Sequence, residues 1–419
     1  MRKDTRGAWV IHHANKLHML QTQDGYENLH SVGRTGILLS AISASNQMSM
    51  SLDRVTALAT AAKINTKLEL PVLLDKLEEA RLIDKTGIGI EVLGVTTLST
   101  LSHTSDLFEF EEPNNQERAA IYLAEESSTK PILQSEIGEV IADRFEMSRS
   151  GLIDFFDVIN SSGMVDRESF NKSESLYFNG NLFRSDSIEK TYKVVSSLTA
   201  PEQAALQELD TIFSSNACIS LDKAKKILGE KLFEKLVSVS FYDINIVNNS
   251  NGDFAFITKP SSFSKYSRPQ TEDAFDNAKA LVTSLTYGMT KSHYARGQIT
   301  MIDKLLGKLI QGGSVGPVTA IGEDYKALEQ RGVVKVDKVA GRFGGSSYQM
   351  RLLKKDVGEL ALKVMETQDI SDQSLSNFPE ASVYSYTGPE RNRENVRKKQ
   401  NDISKNTAFR ILDVLRDSQ

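Results

Sequence analysis

Apolar residues along the chain recur at helical spacing, stop at a small or polar pair, and resume as an alternating two-strand segment. This happens four times. The first copy spans 72–83, with apolar positions at 73, 74, 77 and 82, and passes into 84–93, where Gly87 and Gly89 punctuate a hairpin. The second runs over 152–165 and returns at 175–178. The third joins 232–237 to 241–247, turns through 248–253 and returns at 254–257. It is the least regular copy, because Val237–Tyr242 also reads as the direct start of a strand. The fourth covers 325–336, turns at Gly341, Gly344 and Gly345, and returns at 348–353.

Further helical patterns precede these copies at 37–42 and 55–62, at 117–124 and 136–142, and at 202–209 and 221–228. Helix starts are marked by Asn114 three residues before Glu117, and by Thr199-Ala-Pro-Glu202, which has the form of a capping box. Helix, helix, helix, hairpin at a spacing of about 80 residues resembles the winged helix, a helix-turn-helix variant with a β-hairpin wing. The resemblance covers about 36 to 355 and rests on element order and apolar positions rather than on an invariant motif. It implies an α+β, mainly helical chain built as a tandem array. The expected parts are an arm at 1–35, winged helices at 36–112, 113–186, 187–268 and 269–366, and a linker with a basic C-terminal helix at 367–419.

Composition narrows the class. A chain of 419 residues with 40% hydrophobic and 25% charged positions suits several globular domains. No apolar run approaches the roughly 18 residues that cross a bilayer, and the apolar run after Trp9 is too short for a signal peptide. Cys218 is the single cysteine, so neither an internal disulfide nor a cysteine metal cage is expected, and a reducing cytoplasm is the expected compartment. The net charge of −5 is unevenly spread: 279–355 holds 13 Lys and Arg against 5 Asp and Glu, or +8, so the remainder carries −13.

That basic stretch points to a phosphate backbone. A winged helix lays its third helix in the major groove and reaches neighbouring phosphates with its wing. In the first copy the third helix carries Glu69, Asp75, Glu78 and Glu79, which favours a protein partner or self-association. The second offers Arg149 between Ser148 and Ser150, with Arg167 and Lys172 near its wing, opposed by Asp154 and Asp157. The fourth places Lys335, Lys338 and Arg342 around a glycine-rich tip, followed by Arg351, Lys354 and Lys355. Arg296 and His293, with Lys304 and Lys308, lie on the segment before it, and its groove helix is expected near Thr319 to Lys326. Arg391, Arg393, Arg397, Lys398 and Lys399 add a basic tail.

Catalytic patterns are present only in fragments. Gly312-Gly-Ser314-Val-Gly316 matches a nucleophile elbow, yet no histidine follows it. His293-Tyr-Ala-Arg296 matches a short piece of tyrosine recombinases without their remaining basic residues, Tyr325 or Tyr348 being the imaginable nucleophile. His12, His13, His18 and His30 lack a metal-binding spacing, and a helix over 9–20 packed on the first module explains them more simply. Gly87, Gly89 and Gly94 form no dinucleotide fingerprint, and no phosphate-loop motif occurs. The expected function is therefore non-enzymatic binding of double-stranded DNA, with no cofactor or metal. A regulator, a replication initiator, or the DNA-engaging subunit of a genome-defence or chromosome machine would fit. The alternatives are a winged-helix adaptor that binds only protein, and a DNA-cutting enzyme.

Overall fold

The computed structural model describes residues 1–367, apart from 19–23, 44–48, 88, 97–98, 172–173, 214, 250–251, 267–271, 293 and 341–345. The chain divides into two compact units. One comprises Met1–Tyr192 with Ser264–Thr271, the other Lys193–Phe263 with Glu272–Gln368. It is α+β and mainly helical, and every sheet has three strands.

The first unit opens with α1 (Lys3–Leu17). The first repeat follows as α2 (Glu27–Ser43), β1 (Ser49–Met50), α3 (Leu52–Ala61), α4 (Leu70–Glu79), β2 (Ile83–Thr86) and β3 (Gly89–Val92). Helix α4 takes Pro71 in its first turn and buries Leu70, Leu73, Leu74 and Leu77. After α5 (Thr100–Phe110) comes the second repeat: α6 (Asn115–Thr129), β4 (Ile132–Leu133), α7 (Gln134–Arg144), α8 (Arg149–Ser162), β5 (Asp166–Ser169) and β6 (Ser175–Phe178). The capping box expected at Asn114 and Glu117 forms in both directions. Ser148 caps α8, its hydroxyl accepting from the Gly151 amide at 3.1 Å. Helix α9 (Ile188–Ser196) follows.

In the second unit the third repeat is α10 (Ala200–Phe213), β7 (Ile219–Ser220), α11 (Leu221–Leu228), α12 (Glu230–Ser238), β8 (Asp243–Asn249) and β9 (Gly252–Thr258). The doubtful stretch after Val237 resolves as a helix end, since α12 runs to Ser238 and β8 starts only at Asp243. Then come α13 (Ser261–Ser264), α14 (Glu272–Thr290) and α15 (Tyr294–Gly297). The fourth repeat is α16 (Ile302–Ile310), β10 (Ser314–Val318), α17 (Thr319–Asp324), α18 (Lys326–Gln330), β11 (Val334–Ala340) and β12 (Ser346–Leu352), and α19 (Lys355–Thr367) closes the described chain.

The four sheets share one topology. Their orders are β1-β3-β2, β4-β6-β5, β7-β9-β8 and β10-β12-β11. In each, a short strand ahead of a helix pair joins the return strand of the hairpin, antiparallel.

The first 35 residues, expected as an arm, supply α1 and half of α2. Val10, Ile11, Ala14 and Leu17 of α1 are fully buried, and one continuous core runs through both repeats of this unit. Small residues permit that packing. A Cβ on Gly33 would lie 2.2 Å from the Ala14 Cβ and 2.6 Å from the Val10 carbonyl oxygen, so α1 and α2 touch through backbone there. The third repeat has its own core around Leu209, Leu236, Tyr242 and Ile257. Helix α14 is tied to β8 by a buried ion pair, Lys279 Nζ to Asp243 Oδ2 at 2.9 Å.

His13 is wholly buried, stacked on Trp9 at 5.5 Å, and neither ring nitrogen has a hydrogen-bond partner. Burial lowers its pKa from 6.5 to about 3, against a smaller upward pull from the Ala120 backbone. The folded state therefore excludes a proton that the unfolded chain binds. Stability is complete above about pH 6.5 and falls by about 1.4 kcal/mol per unit as the pH drops toward the folded value. Denaturant melts between pH 7 and 5 are expected to show this loss in the native chain and a smaller one in His13→Leu; equal losses would contradict it. In the same assay Gly33→Ala is expected to destabilise by about 1–3 kcal/mol through overpacking. Gly307→Ala, where an added Cβ meets nothing within 4 Å, should stabilise α16 by up to about 1 kcal/mol.

Candidate nucleic-acid interface

The fourth hairpin is built by strict alternation. Its register pairs Val334 with Leu352, Lys335 with Arg351, Val336 with Met350, Asp337 with Gln349 and Lys338 with Tyr348. Val334 and Met350 are buried, so their face looks onto the core. Lys335, Asp337 and Arg351 share the other face. There Asp337 serves both cations, at 3.2 Å from Lys335 and 2.7 Å from Arg351. The Arg351 hydrogen bond, and then Lys335, hold the Asp337 carboxyl below the usual range.

The expectation that Lys335 and Lys338 form one grip is thus corrected. Three residues apart on a strand, they project from opposite faces. Both are exposed, and among the described residues Lys338 has no acidic partner. Arg342 and the tip glycines lie outside the described residues, as do Lys172, His293 and the basic tail.

The expected groove helix is also corrected. It breaks at Tyr325, whose φ of −111° and ψ of 15° leave the helical region, into α17 and α18 of six and five residues. Tyr325 is buried, and burial pushes its hydroxyl pKa up, which does not favour a nucleophile. Lys326 opens α18, exposed and without an acidic partner among the described residues.

Arg296 does structural work instead of facing outward. Its Nη2 donates to Glu323 at 2.6 Å and to Asp324 at 3.1 Å, tying α15 to α17. Partial burial opposes its charge, but Asp324 and Glu323 outweigh that and hold its pKa above the ordinary value. Burial lifts the Asp324 carboxyl despite the neighbouring guanidinium.

Lys304 and Lys308 stand one turn apart on α16, at the edge of a cleft of about 370 Å³ floored by Ile299, Val315, Ile321 and Met350. Lys355 pairs with Glu359 at 3.6 Å, and Lys354 is half-buried. Ser314 opens β10 directly after a helix and a turn, so it does not stand on a strand-to-helix elbow. Arg149, the first residue of α8, is exposed and belongs to the other unit.

The helix pairs differ in charge, and the third repeat, the least regular in its pattern, stands apart from the others. Helices α3 and α4 hold two basic residues against four acidic, and α7 and α8 two against five. Helices α17 and α18 hold one against three. Only α11 and α12 are positive, with five lysines against three carboxylates. The signal was present in Lys223, Lys225, Lys226, Lys231 and Lys235, diluted by the acidic chain around them.

Among the described residues no helix is long and apolar enough to cross a membrane, and no three His, Cys, Asp or Glu gather as metal ligands. No family model, curated protein or solved structure matches the chain.

Arg296 faces an Asp324 carboxyl whose side chain is fully inaccessible to solvent, so removing the guanidinium takes away one partner of a buried acid. Arg296→Met is expected to destabilise the second unit by about 1–3 kcal/mol in denaturant melts. A variant as stable as the native chain would show that this pair is not structural.

Proposed function

We propose that the chain is a DNA-binding protein of four tandem winged helices, in which the hairpin of the fourth anchors a phosphate backbone. The observation that carries the reading is the fourfold sheet order, with a helix pair between the short first strand and the hairpin, which is the winged-helix sequence of elements. In the fourth repeat two exposed lysines, Lys326 and Lys338, keep their charge uncompensated beside that hairpin. Lys335 and Arg351 lie on the opposite face of the hairpin from Lys338 and share Asp337, which leaves a net single charge there. Such cations bind phosphate as point charges and release counterions, so the contact is salt-sensitive and independent of sequence.

A second reading applies to the first unit. Leu68, Val72 and Ile153 are 75%, 51% and 57% exposed, at or beside the acidic helices α4 and α8. Apolar side chains within an acidic surface suit a protein partner and repel a polyanion.

The test is a gel-shift series on a mixed-sequence duplex. Lys338→Glu is expected to weaken retention and to flatten the salt dependence by roughly one unit of log K per log salt. Asp337→Asn frees two cations and is expected to tighten binding. Unchanged affinity in both variants would remove the hairpin from the interface.

A further inference from the structure

We infer that the helix pair of the third repeat, α11 and α12, is a second DNA contact, presenting Lys223, Lys226 and Lys231 to the duplex; the inference rests on the DNA-binding reading above. The carboxylates of this helix pair already have partners. Asp222 is 3.7 Å from Lys291. Glu230 receives Lys225 at 2.6 Å, and Lys225 also lies over the Phe233 ring at 5.8 Å. Glu234 is engaged as well. Lys235 donates to the Ser197 hydroxyl at 3.3 Å. Three exposed lysines remain, and among the described residues none has an acidic partner.

Their positions are set by the fold. Ala224 and Leu228 bury one side of α11, which leaves Lys223 and Lys226, one turn apart, on the opposite flank. Gly229 alone joins the helices at φ 74°, a conformation that glycine adopts without strain, so the turn is as short as a helix pair permits. Lys231 is the second residue of α12, at the end of the third helix that enters a groove in this architecture. The ion pair between Lys225 and Glu230 spans that turn.

The same surface distinguishes DNA from an acidic protein. Protein interfaces centre on exposed apolar anchors. The exposed large apolar residues include Leu68, Val72 and Ile153 in the first unit and Ile246 on β8, but none from α11 or α12. Cations without apolar anchors fit a phosphate backbone. The fourth repeat, whose own helix pair is acidic and whose α18 spans five residues, then supplies the wing contact, and the third supplies the helix contact.

The experiment measures binding of the full chain to a mixed-sequence 30-base-pair duplex over a range of KCl concentrations, for the native protein, for Lys223→Gln/Lys226→Gln/Lys231→Gln combined, and for Lys226→Gln alone. The triple variant is expected to lose roughly 2.7 units from the slope of log K against log salt, and the single variant roughly 0.9. Residual binding in the triple variant should still respond to Lys338→Glu. A native slope retained by both variants overturns this inference and leaves the hairpin reading standing. No retention of the native chain at low salt overturns both. Should the triple variant fail to fold, the single variant decides. Poly-glutamate displaced by the same substitutions, with DNA binding untouched, would assign the surface to an acidic protein and overturn the inference.

Discussion

Each repeat depends on a strand too short to fold by itself. Two residues, or five in the last copy, leave the first helix and pair with the far strand of the hairpin. That pairing closes a three-stranded sheet and traps the next two helices between its first and last members. It adds a backbone tie to the apolar packing that already joins helices and hairpin. With it, the third helix of each repeat and its hairpin sit in one packed unit, as the proposed duplex contact requires. In the first unit the same device recurs twice over a single core, so α1, expected as an appendage, is among its most buried elements.

Charge at such a surface is decided by pairing rather than by counting. The stretch 279–355 carries +8, yet Lys279 is consumed by Asp243 in the interior, Arg296 by Glu323 and Asp324, and Lys335 with Arg351 share Asp337. The carboxylates of α11 and α12 are likewise occupied, which is what leaves three of their lysines uncompensated. An arginine held at 2.6 Å by a carboxylate offers a phosphate far less than a lysine with none. On the proposed reading the contact surface is thus smaller than the raw surplus implies and takes in the third repeat.

Much of the fold was legible beforehand because amphipathic helices and alternating hairpins leave periodic traces. The ends of α4, α8 and α12, the capping box at Asn114 and the long fourth hairpin all lay where their patterns placed them. Two kinds of element left no trace. Strands of two residues, β1, β4 and β7, are shorter than any period. Helix α14 is buried on nearly every side, so it has no polar face to set against an apolar one. The site was legible in residue type but not in arrangement. Lys335, Lys338 and Arg351 are exposed as their polarity demands, but which face each occupies follows from strand register, and the capture of Arg296 required α15 and α17 to meet.

The decisive quantity is the salt dependence of DNA binding by the native chain. Lys326 and Lys338 in the fourth repeat, with Lys223, Lys226 and Lys231 in the third, are the five lysines assigned to the contact and should release counterions on binding. A plot of log K against log salt is then expected to fall with a slope of about −4 to −5. A slope shallower than about −1, or no binding at low ionic strength, would contradict a phosphate-gripping surface on these repeats.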